Sequence, residues 1–426
     1  MRPGFCSDDP DMKLPTQKLK LLAGFMATGL ITPALAANLV VDNLNDDGPG
    51  TLRQAIEEAN ADPAQTIIEF EASLDGVLTL LAPLPTITED VEILGPGAQQ
   101  VSISGNQAHQ ILSITANTTV LLSGLSFIDG HSELSGGAII NEGALTIAEC
   151  ILSGNQSEFG AGGAIDNFMG ELTIHASTLD RNEANTGGGI ANLDGTVQII
   201  DSTISNNQAA LGGGIDNAGV LSIVHSTITG NSAELGGGVE NAGELTVFNS
   251  TFSENLADDD GGGIDNFGGN VSLLHVTLAF NQATGDGGAV WSGADGSLVS
   301  KHSIIAGSDC FSEPGSDWTD IAVNFATETG CEGFLETTLT ALALGSLSDN
   351  GGPTRTHALA AGSIALEAAE DCTALDGATA VSEDQRGVSR PQGEHCDVGA
   401  YERMVAVDPP PAEDSIFSDR FEQPSG

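Results

Sequence analysis

The sequence predicts an all-β fold, a right-handed single-stranded parallel β-helix, from three observations. Short motifs recur about every 25 residues, each repeat holds three strand-like segments with alternating apolar residues, and glycine or asparagine separates those segments. A unit this short cannot bury its own apolar face, whereas stacked copies can. Strands stacked about 4.8 Å apart, three to a turn, form a parallel β-helix.

Two motifs set the register of the repeat, and each ends in asparagine. The first is a glycine run such as GGAIDN, which ends at Asn141, Asn167, Asn192, Asn217, Asn241 and Asn266, with a degenerate copy at Ser292. The second, such as TISNN, ends at Asn155, Asn182, Asn207, Asn231, Asn255 and Asn281. Asparagine tolerates a positive φ at a corner, and its amide can bond to the asparagine of the next coil. We therefore expect a structural role for these columns, with ligand binding as the alternative.

The same register predicts two interior columns. Three residues before each asparagine of the second motif stand Leu152, Leu179, Ile204, Ile228, Phe252 and Leu278, which we expect to form an aliphatic core. Five residues before it stand Cys150, Ser177, Ser202, Ser226, Ser250 and Val276. Cys150 thus occupies a slot for a small residue and needs no reactive role.

The N-terminus predicts export. Residues 1–36 have the organisation of a signal peptide, with three lysines, an apolar stretch over 21–31 and cleavage after Ala36. Residues 1–11 hold three acidic side chains, so Met12 is an alternative start to Met1. No later apolar stretch is long enough for a transmembrane helix. The chain is therefore expected outside the cell or on the outer membrane surface.

The mature chain divides into four predicted parts. Residues 37–62 form an N-terminal cap with a short helix over 51–60, whose apolar face is Leu52, Ala55, Ile56 and Ala59 and whose capping box is Thr51 and Gln54. Residues 63–307 form the β-helix coils. Residues 308–404 form irregular coils and a cap, with candidate disulfides Cys310–Cys331 and Cys372–Cys396. Residues 405–426 form a disordered, acidic, proline-rich tail.

Composition excludes several classes of partner. The chain has 12 Lys+Arg against 59 Asp+Glu, a net charge of −47, and 55 glycines. Removal of residues 1–36 takes away four basic and three acidic side chains and leaves −48. Nucleic acids and anionic membrane surfaces repel such a charge.

Several segments resemble known bacterial families. The repeats over 100–307 resemble polymorphic outer membrane proteins and other right-handed β-helix proteins of the pectin-lyase-like superfamily. DDGPGTLRQAIEEAN (46–60) resembles the CSLREA head motif, and NGGPTRTHAL (350–359), DQRGVSRP (384–391) and CDVGAYE (396–402) resemble the end of choice-of-anchor surface proteins. IFSDRFE (416–422) is similar to a terminal signature of secreted gammaproteobacterial proteins. These resemblances imply an exported protein and no particular reaction.

Candidate chemistry lies in acidic and histidine residues. Asp258, Asp259 and Asp260, with Asp286 about one coil on, suit Ca²⁺, which prefers oxygen ligands. An acidic column, Asp166, Asp216, Glu240 and Asp265, is either a solvated face or a second cation site. His275 and His302 are expected to be stacking neighbours in a polar, outward-facing column.

Two functions follow from these features. The first is a non-catalytic, adhesin-like or scaffold role with glycans or cell-surface components as partners. The alternative is a polysaccharide lyase or glycoside hydrolase of the pectin-lyase-like superfamily. A pectate-type lyase needs a basic side chain to remove a proton, yet residues 120–307 contain just Arg181 and Lys301. This scarcity favours the binding role.

Overall fold

Residues 37–404, which the computed structural model describes, wind into a parallel β-helix of about 12 turns. This result confirms the predicted fold class. The predicted signal peptide and the acidic tail lie outside the described residues. Among the described residues there are two helices, Leu52–Asn60 and Leu339–Leu342. Neither is long and apolar enough to cross a membrane.

Three parallel sheets form the sides of the helix, because each coil contributes up to one strand to each. Sheet A has twelve strands: Ala37–Val41, Thr66–Phe70, Val91–Leu94, Thr119–Ser123, Ala144–Ala148, Glu171–His175, Thr196–Ile200, Val220–Val224, Glu244–Phe248, Asn270–Leu274, Ser297–Lys301 and Asp317–Asp320. Sheet B has twelve: Gly76–Thr79, Val101–Ser104, Ser126–Ile128, Ile151–Ser153, Thr178–Asp180, Thr203–Ser205, Thr227–Thr229, Thr251–Ser253, Thr277–Ala279, Ile304–Ala306, Phe325–Ala326 and Leu335–Glu336. Sheet C has nine: Leu112–Ile114, Ile139–Asn141, Ile165–Phe168, Ile190–Leu193, Ile215–Asn217, Val239–Asn241, Ile264–Asn266, Val290–Ser292 and Cys310–Ser312.

The remaining strands form three smaller sheets. His131–Ser132 pairs with Gln156–Ser157, and Ser232–Ala233, Leu256–Ala257 and Gln282–Ala283 stack in a second parallel set. Leu344–Ser348 and Thr356–Leu359 form an antiparallel hairpin.

The interior is built from the columns that the repeat predicts. Leu152, Leu179, Ile204, Ile228, Phe252 and Leu278 are all 0 % exposed and lie in one column of sheet B. Cys150 is a buried free thiol, and its backbone N–H donates to the hydroxyl of Ser177. Burial raises the pKa of this thiol to about 11. Cys150 therefore fills a small-residue position and is not activated.

The N-terminal helix caps the first coil. Thr51 is the N-cap, and its hydroxyl accepts a hydrogen bond from the Gln54 backbone N–H at 3.3 Å. Gln54 returns a bond to the Gly50 N–H rather than to that of Thr51, so the capping box is shifted by one residue. The four predicted apolar residues of the helix are buried.

Residues 338–404, here called the C-terminal segment, pack on the outer face of sheet B. Hydroxyls of Thr227, Thr251 and Thr277 bond to residues of this segment. Gln385 is 1 % exposed and donates to the Ser226 carbonyl and the Thr227 hydroxyl. Both predicted disulfides, Cys310–Cys331 and Cys372–Cys396, are present.

Candidate functional site

The corner between sheets C and A is held rigid by an asparagine column, as the sequence predicts. Asn167 receives a hydrogen bond from the Asn141 amide at 2.7 Å and donates one to Asn192 at 2.8 Å. Both Asn141 and Asn167 are 0 % exposed. Any groups on the outside of this corner are therefore presented by a fixed backbone.

A groove lies on this corner across three consecutive coils. We call it the corner groove; it is lined by residues 116–119, 142–144, 168–169 and 171, spans about 590 Å³ and is open to solvent. A depression this open would leave much of a ligand exposed and fits contact along its surface better than enclosure of a small molecule.

Two apolar side chains in the corner groove are exposed. Phe168 is 37 % exposed and Met169 is 61 % exposed. Met169 adopts the left-handed conformation, with φ +55°. The corner two coils before it has Asn117 in this conformation, at φ +65°, and the corner of the next coil has Asp194, at φ +54°. Asparagine and aspartate tolerate it, whereas a long apolar residue is uncommon there. The fold thus has no need of methionine at this position.

Polar groups border these apolar side chains. Asn117, Thr119, Glu142 and Glu171 line the corner groove and are exposed. The groove therefore combines an apolar surface with amide, hydroxyl and carboxylate groups. This site was not among those that the sequence predicted. Its usable signal was Met169 alone, because exposed apolar residues also follow the corner asparagine in other coils, at Leu193 and Phe267.

An acidic column lies on the outer face of sheet C. We call Asp216, Glu240 and Asp265 the acid ladder, because they are direct partners on adjacent strands. Ala191 separates them from Asp166, the fourth acid of the predicted column. Asp216 and Glu240 are half-buried and Asp265 is 2 % exposed. The outer face of sheet C is therefore less exposed to water at these residues than the predicted solvated face would be.

Burial and mutual repulsion keep these groups from ionising easily. Burial, together with the hydrogen bond and charge of Asp216, raises the pKa of Glu240 to about 9. Burial and the charges of Asp260 and Asp259 raise the pKa of Asp265 to about 7. One Asp265 oxygen, Oδ1, is buried without a hydrogen-bond partner.

The residues predicted to bind calcium lie at the neighbouring turns. Asp258, Asp259 and Asp286 are exposed, and Asp260 is half-buried. Asp260 Oδ1 accepts a hydrogen bond from the Asp286 backbone N–H at 2.7 Å. Within residues 37–404, no group of three or more His, Cys, Asp or Glu is placed to hold a metal ion. Calcium binding here stays a prediction.

The two predicted histidine neighbours stack, but they do not face solvent. The ring centroids of His275 and His302 are 4.9 Å apart, and the residues are 0 % and 1 % exposed. The expectation of an outward polar column is wrong at these positions because the C-terminal segment covers them; the Gly399 N–H bonds to the His302 carbonyl.

The two basic side chains of the coils have acidic partners. Arg181 pairs with Asp180 at 3.0 Å, on the strands of sheet B. Lys301 is 2 % exposed and bonds to Asp371, Thr373 and the Ala374 carbonyl of the C-terminal segment. Neither is paired with the acid ladder.

No protein-family model matches the chain, and no curated protein matches its sequence. Among solved structures, the chain is similar to the family 6 alginate lyase AlyGC, with 13 % identity, a TM-score of 0.42 and coverage of 67 % of this chain. The matched region spans 40 % of the length of that lyase.

Two further solved structures are similar. The pectate lyase Pel9A has 14 % identity and a TM-score of 0.39, with coverage of 86 % of this chain and 97 % of the lyase. A mannuronic acid-specific family 6 lyase from human gut microbiota has 10 % identity and a TM-score of 0.26, with coverage of 71 % and 91 %. Likenesses this distant carry no inference about activity.

Proposed function

We propose that this chain is an exported, adhesin-like β-helix protein that binds a glycan in the corner groove and does not modify it. Its place is outside the cell or on the outer membrane surface, as residues 1–36 predict. The observation that carries the proposal is the exposed pair Phe168 and Met169, since the fold itself favours other residues at Met169.

The chemistry of the corner groove fits a sugar. An exposed apolar patch with a polar border is typical of binding sites. Phe168 offers an apolar ring to the C–H face of a sugar. Glu142 and Glu171 are acceptors for hydroxyl groups, and the Asn117 amide both donates and accepts.

The negative charge of the groove and of the chain determines which kind of glycan is the preferred ligand. The groove carries two carboxylates and lies on a chain with net charge −47. Polyuronates would be repelled, so a neutral glycan is the preferred ligand.

A binding panel tests this proposal. The purified protein is titrated with neutral, anionic and cationic polysaccharides, and each dissociation constant is measured. Phe168→Ala should weaken binding of the preferred neutral glycan about fivefold to tenfold, because the ring contact is lost. The matched control is Phe159→Ala, an aromatic side chain of 69 % exposure outside the groove, which should leave binding unchanged. Equal effects of the two substitutions would contradict the proposal.

A second candidate function is glycoside hydrolysis at the acid ladder. Glu240, with its raised pKa of about 9, is protonated at neutral pH and could donate a proton to a leaving group. However, its carboxyl is hydrogen-bonded to that of Asp216, closer than the roughly 5 Å between the carboxyls of retaining glycosidases. Release of reducing sugars without unsaturated products in the same panel, abolished by Glu240→Gln, would establish this candidate in place of the first.

A further inference from the structure

The corner that carries the corner groove continues beyond it along the solenoid. The residues that follow the corner asparagines take equivalent positions in successive coils: Phe168, Leu193, Ala218, Ala242 and Phe267. All five are exposed, Leu193 by 46 % and Phe267 by 67 %. Because parallel strands stack about 4.8 Å apart, Phe267 lies four coils, or about 19 Å, from Phe168. The corner thus has two apolar ends with small residues between them.

A second aromatic side chain borders Phe267. Trp291 is half-buried and lies on the next strand of sheet C. A Cβ on Gly293 would lie 3.1 Å from Cη2 and Cζ3 of Trp291, so the indole lies over the corner that follows Phe267. Apart from its chain neighbours, a Cβ on Gly268 would meet just the Asp295 Cβ, at 3.9 Å, so the space beside Phe267 is open. A ligand on this corner can therefore reach two aromatic rings.

Polar groups beside Phe267 match those of the corner groove. In sheet A, Asn270 takes the register position of Glu171, which lines that groove. Asn270 Nδ2 donates to Glu244 Oε1, and Asn270 Oδ1 accepts from the Ser297 hydroxyl, each at 2.5 Å. These hydrogen bonds hold the exposed amide in one orientation. The rings and polar groups together form what we call the distal subsite: Phe267, Trp291, Glu244, Asn270 and Ser297.

We propose that the ligand is a linear neutral glycan that lies lengthwise along this corner and contacts both the corner groove and the distal subsite. This proposal rests on the proposed function and adds the form of the ligand. An extended chain of 1,4-linked pyranose rings advances per sugar by nearly the distance that the solenoid rises per coil. Sugars and coils therefore stay in step over the four coils. The carboxylates of Glu171 and Glu244 disfavour a polyuronate at either end.

The corner stays low between the two ends. Ala218 and Ala242 are exposed and place just a methyl group there. A straight chain can therefore touch both ends at once, and two linked contacts raise the affinity beyond that of either contact alone. Contact along an open surface also agrees with the open form of the corner groove, because a long ligand needs no enclosure.

Calorimetric titration with chains of two lengths tests this proposal. The full protein is titrated with β-1,4-linked trimers and hexamers of glucose, mannose and xylose. At least one hexamer should bind fivefold or more tightly than its trimer, because a trimer is too short to reach both ends. Phe267→Ala should reduce the affinity for that hexamer to about the affinity for the trimer. The matched control is Phe159→Ala, which is 69 % exposed on another turn and should leave both affinities unchanged.

A second readout reports on the distal subsite itself. The chain has two tryptophans, so Trp318→Phe leaves Trp291 as the one source of tryptophan fluorescence. A saturating concentration of the hexamer should shift the Trp291 emission to shorter wavelength, because the glycan removes water from the indole face. Circular dichroism should report the β-fold in every variant.

Several results would overturn the proposal. Loss of hexamer affinity in Phe168→Ala but not in Phe267→Ala would overturn it and leave the proposed function standing. Equal affinities of trimer and hexamer, or unchanged Trp291 emission at saturation, would have the same meaning. Absence of binding to every neutral glycan would contradict both proposals. A dimer in sedimentation that Phe267→Ala dissociates, with hexamer affinity unchanged, would assign this surface to a second copy of the chain.

Discussion

An asparagine inside the corner column is bonded to the asparagine on either side, so its loss removes two hydrogen bonds between side chains. Asn192 Nδ2 donates to Asn217 at 2.7 Å, and Asn192 Oδ1 accepts from Asn167 at 2.8 Å. All three side chains are buried. Removal of the Asn192 side chain takes one hydrogen bond from Asn167 Nδ2, which keeps its bond to the Gly170 carbonyl, and one from Asn217 Oδ1, which keeps the bond from the Gly219 N–H.

Asn192→Ala should lower the free energy of unfolding by about 1–3 kcal/mol, since it removes two buried hydrogen bonds between side chains and each contributes about 0.5–1.5 kcal/mol. Urea denaturation measures this change. Asn185→Ala is the control, because Asn185 is exposed, and its effect should stay within about 0.5 kcal/mol. Similar losses in the two variants would contradict a structural role for the corner column.

The residues that the sequence predicts well are those that recur in every coil. Phe252 and Cys150 could be placed because each environment repeats about every 25 residues, so one pattern fixes many positions. The position of Met169 could not be predicted, because this residue departs from the repeat and a comparison of the repeats reports only what they share. The proposed glycan site therefore depends on an exception to the repeat.

At the scale of elements, the C-terminal segment is attached to the coils over a set of buried histidines. His275 and His302 belong to the coils, and His357 belongs to the segment, where it contacts the Ser253 hydroxyl at 3.0 Å and the ring of Phe280. The contact of His357 with Ser253 and that of Lys301 with Asp371 join residues 104 and 70 positions apart in sequence. Burial of these histidines could not be predicted from local spacing for that reason.

Burial makes these histidines hard to protonate. Burial, and then the charge of Arg390, lowers the pKa of His275 well below its usual value. Burial and the charge of Lys301 lower the pKa of His302 to about 4, against an opposing effect of Asp371, and burial also lowers the pKa of His357. Unfolding restores a pKa of about 6.5.

These shifts predict acid sensitivity. The unfolded chain binds more protons below pH 6.5, so the histidine contribution to stability is complete above that pH and decreases as the pH falls towards 4. His275→Asn, the residue type of Asn249 in the adjacent coil, should flatten this decrease by up to about 1.4 kcal/mol per pH unit. Denaturation at several pH values between 4.5 and 7 measures it.

The difference between the pH profiles of wild type and His275→Asn isolates the contribution of His275 to stability. Glu240 and Asp265, whose pKa values are raised to about 9 and about 7, act in the opposite sense because the folded state binds their protons more tightly. Wild type and His275→Asn both contain these two acids, so the contribution of the acids cancels when the two pH profiles are subtracted. His109→Asn, on a coil away from the C-terminal segment, is the control. Parallel pH profiles for wild type and His275→Asn would contradict this account.

At the scale of the whole molecule, charge and repeat together decide which ligands can approach. The chain carries 59 acidic and 12 basic side chains, and the interior columns of the described coils are aliphatic, so most acids of these coils lie on the outer faces or at the turns. This charge disfavours polyanionic ligands and is consistent with the proposed neutral glycan.

The repeat also explains the high glycine content. Glycines such as Gly212 and Gly236 have positive φ at equivalent corners of successive coils, so they serve tight turns and not general flexibility. The architecture follows from this regular pattern, whereas the binding surface depends on the few positions that break it.

The most direct test of the glycan-binding claim is the pair of effects produced by Met169→Asn. Asparagine tolerates φ +55°, so this variant should be more stable than wild type by about 0.5–1 kcal/mol. The same substitution removes apolar surface from the corner groove and should weaken binding of the preferred neutral glycan about tenfold. Stability and the dissociation constant are measured on the same preparation. A more stable protein with unchanged affinity would contradict the claim that Met169 is retained for binding.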